Sequence, residues 1–239
     1  MRMYRLFGLL ILVMVCGFIN MGFTVASKGY TMYREALDGQ SLEDRVSRIR
    51  SKAGYTELEE LPQVYLDAVL SVEDHRFYQH FGIDLIAIGR AVVNDVRARR
   101  FVEGGSTITQ QLAKNLCFSQ EKELTRKVAE VFLALDLERN YSKDEILELY
   151  VNSIYYGDGY YNVGSACQGY FGKLPEEMNE YESTLLAGVP NAPSRYAPTR
   201  NPDLAKKRQM QVIRRMEACG CFSKEEAETV ALEVAAVAN

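Results

Sequence analysis

Little in this chain points to a nucleic-acid partner. Lys and Arg total 28 against 32 Asp and Glu, a formal charge of −4, so there is no basic surplus to meet a phosphate backbone. No segment repeats at a solenoid period, which excludes stacked-repeat architectures. Cysteine is sparse, at five in 239 residues. Cys219-Gly220-Cys221 is too tight for an easy internal bridge and lacks the repeated Cys-x-x-Cys spacing of a zinc site, so free or buried thiols are expected. Convincing strands are scarce as well, because the short apolar runs at 64–72 and 185–189 have neighbours that favour helix. What remains is globular: 47% hydrophobic and 25% charged residues exclude wholesale disorder and collagen-like chains, and the length suits one domain with a real core.

One stretch lacks charge altogether. Residues 6–26 read LFGLLILVMVCGFINMGFTVA, and about 20 apolar residues suffice for a helix to cross a bilayer. Arg2 and Arg5 precede it, so residues 1–5 are expected in the cytoplasm, 6–26 as a single transmembrane anchor, and everything after Ser27 outside. The competing reading is a cleaved signal peptide, whose apolar region is usually shorter and ends in small residues; Val25-Ala26-Ser27 matches that only loosely. Cys16 lacks the small residue expected before a lipidated cysteine. Cys117, Cys167, Cys219 and Cys221 would lie where disulfides are permitted.

Beyond the anchor, residues 27–60 are polar and read as a stalk or small membrane-proximal lobe, and 61–239 as a mostly α-helical domain. Pro62 opens an apolar-periodic run. Asp84 caps a helix expected to reach Arg99, and Ser119 another reaching Arg139. Ser142-Lys143-Asp144-Glu145 and Ser223-Lys224-Glu225-Glu226 both carry the capping-box pattern. Four prolines between 190 and 202 break the chain before a basic helix around 205–216.

Three segments carry candidate chemistry. Glu73-Asp74-His75-Arg76-Phe77-Tyr78-Gln79-His80-Phe81-Gly82 sets adjacent carboxylates beside aromatics, and a carboxylate desolvated by aromatic walls can be tuned as a proton acceptor. The same residues would also serve as an ordinary ion-paired helix end. Glu103-Gly104-Gly105-Ser106-Thr107 opens a helix whose first amides are expected to face outward as a phosphate site, with Thr107, Gln111 and Lys114 in one polar stripe; a plain glycine turn with a hydroxyl cap fits equally. Arg126 and Lys127 lie four and three residues before Glu130 and can share a helix face with it, as any solvated ion pair can.

In order and spacing these blocks resemble the peptidoglycan glycosyltransferases, family 51 of the glycosyltransferases. Two further blocks agree: Lys143-Asp144-Glu145-Ile146-Leu147-Glu148-Leu149-Tyr150-Val151-Asn152 with the Tyr155-Tyr156-Gly157 that follows, and Leu185-Leu186-Ala187-Gly188-Val189-Pro190-Asn191-Ala192-Pro193-Ser194-Arg195-Tyr196. The resemblance covers roughly residues 60–200. It implies a lysozyme-like helical fold on the outer side of the cytoplasmic membrane. It also implies polymerisation of lipid II, a disaccharide-pentapeptide on undecaprenyl diphosphate, into β-1,4 glycan with inversion at the donor carbon.

By that resemblance Glu73 matches the general base. Glu130, beside Arg126 and Lys127, is a poor proton donor and is expected to organise the cations that hold the diphosphate. Ser106, Thr107, Gln111, Lys114, Arg126 and Lys127 form the phosphate-side group, and the resemblance leaves room there for a divalent cation, magnesium or manganese. Asp74 and Phe77 match positions that shape the cleft, and His80 either contacts substrate or supports it. Glu148, Tyr150 and Asn152 read mainly as architecture. Val92, Val93, Val96, Phe101 and Val102 among Arg97, Arg99 and Arg100 form either an amphipathic membrane-dipping lobe or core beside a solvated face. Expected partners are lipid II, the growing glycan strand, the membrane and penicillin-binding transpeptidases of the wall machinery.

Bifunctional relatives carry a transpeptidase domain with Ser-x-x-Lys and Lys-Thr-Gly motifs; Lys-Thr-Gly does not occur in these 239 residues, and the Ser-x-x-Lys spacing occurs only as Ser119-Gln120-Glu121-Lys122, between the glycosyltransferase-like blocks, so a monofunctional transglycosylase is expected. Two other classes compete. A lysozyme-like glycan-cleaving enzyme would use a protonated glutamate, and a catalytically silent, membrane-anchored scaffold would need neither Glu73 nor Glu130.

Overall fold

The computed structural model describes residues 2–98, 105–118 and 124–236, with the side chains of 2–11, 13, 92, 95 and 96 outside the described set. Among the described residues there is no strand, and the architecture is helical. In chain order the helices are α1 (Arg2–Asp38), α2 (Leu42–Arg50), α3 (Gln63–Glu73), α4 (Leu85–Ala98), α5 (Ile108–Cys117), α6 (Leu124–Asn140) and α7 (Lys143–Val151). Then follow α8 (Val163–Phe171), α9 (Glu180–Gly188), α10 (Pro193–Tyr196), α11 (Pro202–Cys219) and α12 (Lys224–Ala236). The apolar runs at 64–72 and 185–189 are helical, lying in α3 and at the end of α9.

The capping signals act where the sequence places them. Ser142 and Glu145 close a reciprocal box at the start of α7, and Ser223 and Glu226 do the same before α12. The Asp84 carboxylate accepts from the Ile86 and Ala87 amides to open α4. The expected start at Ser119 and the residues Arg99, Arg100, Phe101, Val102, Glu103 and Gly104 lie outside the described residues.

The core joins α3, α5, α6, α7 and α9, with Tyr65, Ile108, Leu112, Leu133, Leu137, Leu149 and Leu186 fully buried. Residues 27–60, expected as stalk or small lobe, are helical over the end of α1 and all of α2. Val46 and Ile49 of α2 belong to the same core, and α1 packs along α6. Buried Asn152 holds the loop before α3: its side-chain amide donates to the Thr56 carbonyl and its oxygen accepts from the Thr56 amide. Glu148 accepts from the Tyr55 hydroxyl and the Leu58 amide in the same seam. The five cysteines are unbridged.

Among the described residues no helix is long and apolar enough to cross a membrane. The side chains at 6–11 and 13 of the expected anchor lie outside that set. On the described part of the segment Leu12, Met14, Val15, Phe18, Ile19, Met21 and Phe23 are all exposed. Val93 on α4 is exposed, as are Leu85 and Ile86 at its start.

Candidate active site

The end of α3, the start of α5 and the face of α11 enclose a cleft of about 440 Å³. Glu73, the last residue of α3, lines it. One of its oxygens accepts a hydrogen bond from the Gln111 side-chain amide at 2.8 Å. The other is buried without a hydrogen-bond partner among the described residues and stands 3.9 Å from the Arg208 guanidinium on α11. Burial pushes the Glu73 carboxyl above the usual carboxylate range; the Gln111 bond and the Arg208 charge pull it back, and Asp74 adds to the rise. Gln111 is oriented in turn by Tyr150, whose hydroxyl donates to the Gln111 side-chain oxygen at 3.2 Å. Tyr150 is fully buried, and burial holds its hydroxyl protonated, as a donor.

The aromatic residues expected around Glu73 sit elsewhere. Phe77 is 1% exposed in the core, under the Lys143 ammonium at 4.3 Å, and the Tyr78 hydroxyl donates to Asp144. Their short helical turn carries them away from the carboxylate, so Glu73 is desolvated by α5, α7 and α11 instead.

Asp74 and His80 form a buried pair: the His80 Nε2 lies 2.9 and 3.1 Å from the two Asp74 oxygens. Asp74 also accepts from the Ile108 amide at 3.0 Å, at the first turn of α5. Thr107 caps that turn through the Gln110 amide, while its hydroxyl donates to the Gly82 carbonyl at 2.7 Å. Gly82 sits at φ +77, a conformation that favours glycine. The helix start expected to offer outward amides therefore has its Ile108 and Gln110 N–H groups satisfied from within, by an acidic side chain and a capping box. This corrects the expectation of a phosphate site on those amides.

The second cluster lies on α6. Arg126 and Lys127 both engage Glu130, each on a different carboxylate oxygen, with Lys127 at 3.1 Å. Lys127 also donates to the Ser106 hydroxyl at 2.7 Å, and Ser106 lines the cleft. Burial, with the nearby charges of Arg126 and Lys114, brings the Lys127 ammonium down to about 8. Glu130 is a single, 2% exposed carboxylate with both oxygens taken by cations, so this donor set does not fit a divalent cation. Among the described residues, the carboxylates close enough to share one, Glu57, Glu59 and Glu148, belong to the seam before α3.

The structure thus joins Glu73 to Gln111, Asp74 to His80 and the start of α5, and Lys127 to Ser106 and Glu130. It adds Asn191, which the last motif block carried without an assigned role, and residues that the motifs did not name: Arg90, and on α11 Arg208, Gln211, Arg214 and Arg215, all lining the cleft. The signal for the α11 group was the basic helix itself, whose Arg208, Gln211 and Arg215 repeat at helical spacing. His75 faces the same wall; burial, then Arg90 and Arg215, lower its pKa.

The sequence model of the transglycosylase family matches residues 39–217. Penicillin-binding protein 1F of Bacillus subtilis (strain 168) is 45% identical over 172 residues, 72% of this chain and 24% of that protein. Penicillin-binding protein 1A of Aquifex aeolicus (strain VF5) is 45% identical over 177 residues, 74% of this chain and 24% of that one. The chain therefore spans about a quarter of the length of these curated relatives. A crystal structure of penicillin-binding protein 1A from Haemophilus influenzae aligns with 74% of this chain and 17% of its own, at 24% identity and a TM-score of 0.45. By the family match and the sequence relatives, the chain belongs to the transglycosylase family, the peptidoglycan glycosyltransferases that its motifs resemble.

Proposed function

We propose that this protein is a membrane-anchored peptidoglycan glycosyltransferase that polymerises lipid II into β-1,4 glycan by inverting transfer, releasing undecaprenyl diphosphate. The observation that carries the reading is the inequality of its two glutamates. Glu73 has one oxygen fixed by Gln111 and the other without a hydrogen-bond partner, whereas Glu130 is neutralised by Arg126 and Lys127. The acceptor's 4-hydroxyl is a poor nucleophile and needs a base. Diphosphate leaves readily once its charge is met.

In this reading Glu73 takes the hydroxyl proton as the acceptor oxygen bonds the donor's anomeric carbon and the bond from that carbon to diphosphate breaks. Lys127, Arg126, Lys114 and Ser106 receive the departing diphosphate, and Glu130 holds the cations in place. Asp74, His80, Phe77 and Thr107 act one step removed, by fixing the turn that presents Ser106.

Residues 6–26 anchor the chain in the cytoplasmic membrane, with 1–5 inside and the domain outside. The run of exposed apolar side chains from Leu12 to Phe23 supports this, because a helix so lined is disfavoured in water. Residues 27–60 would then join the anchor to the domain of 61–239, with α2 packed into that domain's core. The growing glycan strand and penicillin-binding transpeptidases are the proposed partners.

The test is detergent-solubilised protein with labelled lipid II, its products run on a gel beside Glu73→Gln. A lysozyme-digestible ladder, absent from the variant, is expected. Digestion of existing glycan without lipid substrate would favour a cleaving enzyme, and lipid II bound but never polymerised would favour a scaffold.

A further inference from the structure

Helices α1 and α6 lie side by side and run in the same direction. Gly29 meets Val128 and the Thr125 carbonyl, the Tyr30 ring meets Phe132 edge-on at 5.2 Å, and the Tyr33 hydroxyl donates to Asp136 at 2.8 Å. The contact is closest at the first turn of α6: a Cβ on Gly29 would stand 2.6 Å from the Val128 Cβ and 3.0 Å from the Thr125 carbonyl oxygen. Arg126 and Lys127 belong to that same turn. Arg45 ties down the far end, donating to the Ala36 carbonyl at 2.7 Å and to the Leu116 carbonyl, in the last turn of α5, at 2.7 Å. The helix that leaves the proposed anchor is therefore fastened to both helices that carry the polar site.

We propose that the seam between α1 and α6 is a depth register, holding Arg126 and Lys127 at the height above the bilayer where a lipid-linked diphosphate presents its phosphates. This rests on the readings of 6–26 as the span and of the α6 cluster as the diphosphate site. Along a helix each residue rises about 1.5 Å, so Gly29 lies about 4.5 Å beyond Ala26, where the apolar stretch ends. The headgroup layer on each side of a bilayer is about 5–7 Å deep. Because the helices are parallel, the Arg126–Lys127 turn falls within that layer, and Lys127 points to Ser106 on the cleft. Leu124 ends α6 on the membrane side and is 77% exposed, as a side chain bordering lipid would be. Gly29, Tyr30, Tyr33 and Asp136 are positioning residues in this scheme and touch no substrate.

The test lifts the domain without altering it. Seven alanines inserted after Ser27 add two turns, about 10 Å, and leave the helix face nearly unrotated. Wild type and variant are compared in vesicles on full-length lipid II, and in solution on a short-chain, water-soluble lipid II analogue. The expected result is a loss of about tenfold or more on the membrane substrate, with the soluble one turned over within about twofold of wild type, since small misplacements of reacting groups are costly. An unchanged ratio of the two activities would overturn the register while leaving the enzymatic reading intact. Failure of the wild type on both substrates would remove that reading, and the register with it.

A second measurement needs no turnover. Leu124→Cys, labelled with a fluorophore in a chain whose native cysteines are serine, should be quenched most by headgroup spin labels, and the insertion should abolish this. Quenching that ignores the insertion would also overturn the proposal.

Discussion

The Gln111 side-chain amide donates to one oxygen of Glu73 at 2.8 Å, and the other oxygen of that carboxylate has no hydrogen-bond partner. A single donor thus fixes the carboxylate's orientation and leaves one lone-pair edge for a proton. Glu73→Gln keeps the shape and removes the base. Polymerisation is expected to fall by about 10²–10⁴-fold, the range for a general base, with lipid II binding retained. Gel assay and equilibrium binding check the two halves; normal turnover would sink the assignment.

The same substitution has a stability signature. Burial raises the Glu73 carboxyl above its ordinary 4.5, so the folded chain holds that proton more tightly than the unfolded one does. The stability this confers is fully present below pH 4.5 and is lost as pH rises through the raised value. Relative to wild type, Glu73→Gln should melt higher near neutral pH, and the two curves should converge toward about pH 4. Melting temperatures across that window decide it.

Tyr150 sets which end of the Gln111 amide faces Glu73. Tyr150→Phe removes one neutral hydrogen bond, worth about 0.5–1.5 kcal/mol, and should slow turnover by about 2- to 13-fold. The acid limb of the activity profile should move to higher pH as the Gln111 bond to Glu73 loosens, because that bond lowers the Glu73 pKa. A pH–rate profile with an unmoved acid limb would leave Tyr150 a packing residue.

Lys127 is poised near pH 8 by burial and by Arg126 and Lys114. A lysine with a lowered pKa loses its charge as pH rises through that value, so diphosphate affinity should decline above about pH 8 in the free enzyme. Lys127→Arg stays charged throughout and should abolish the decline. Lys127→Ala should weaken binding by about 10- to 100-fold at neutral pH, the loss of one charged hydrogen bond. Titration calorimetry with an undecaprenyl diphosphate analogue measures all three.

Asp74 is expected to act on stability. Asp74→Ala strands the His80 ring nitrogen and the Ile108 amide, at about 1–3 kcal/mol for each buried donor left without a partner. Melting should drop by about 2–4 °C per kcal/mol in a chain of this size. Phe77→Ala opens a cavity in the core and should cost about 3–5 kcal/mol. If Phe77→Ala melted like wild type and lost only substrate affinity, Phe77 would belong to the cleft after all.

The helical class was legible because its signals are local. Apolar residues recur at helical spacing in α3, and Ser142 and Ser223 sit three residues before their glutamates, so pattern and cap lie within one short window. The order of the motif blocks was legible for the same reason, and it suffices to place the chain among the transglycosylases.

Local pattern could not say what surrounds each motif side chain. Glu73 next to Phe77 and Tyr78 in sequence suggested an aromatic pocket, but the turn after α3 buries one ring in the core and swings the other to Asp144. The first amides of α5 looked available for phosphate until Asp74, 34 residues earlier, met one of them.

Secondary structure and family membership were thus determined by the sequence alone, since both depend on spacing along the chain. The tertiary structure decided that Glu73 is desolvated by α5, α7 and α11, that Arg208 faces it, and that α1 runs along the helix bearing Arg126 and Lys127. The physical reason is that burial and hydrogen-bond partnership are properties of neighbours in space. The partners of these side chains come from helices far apart in the chain.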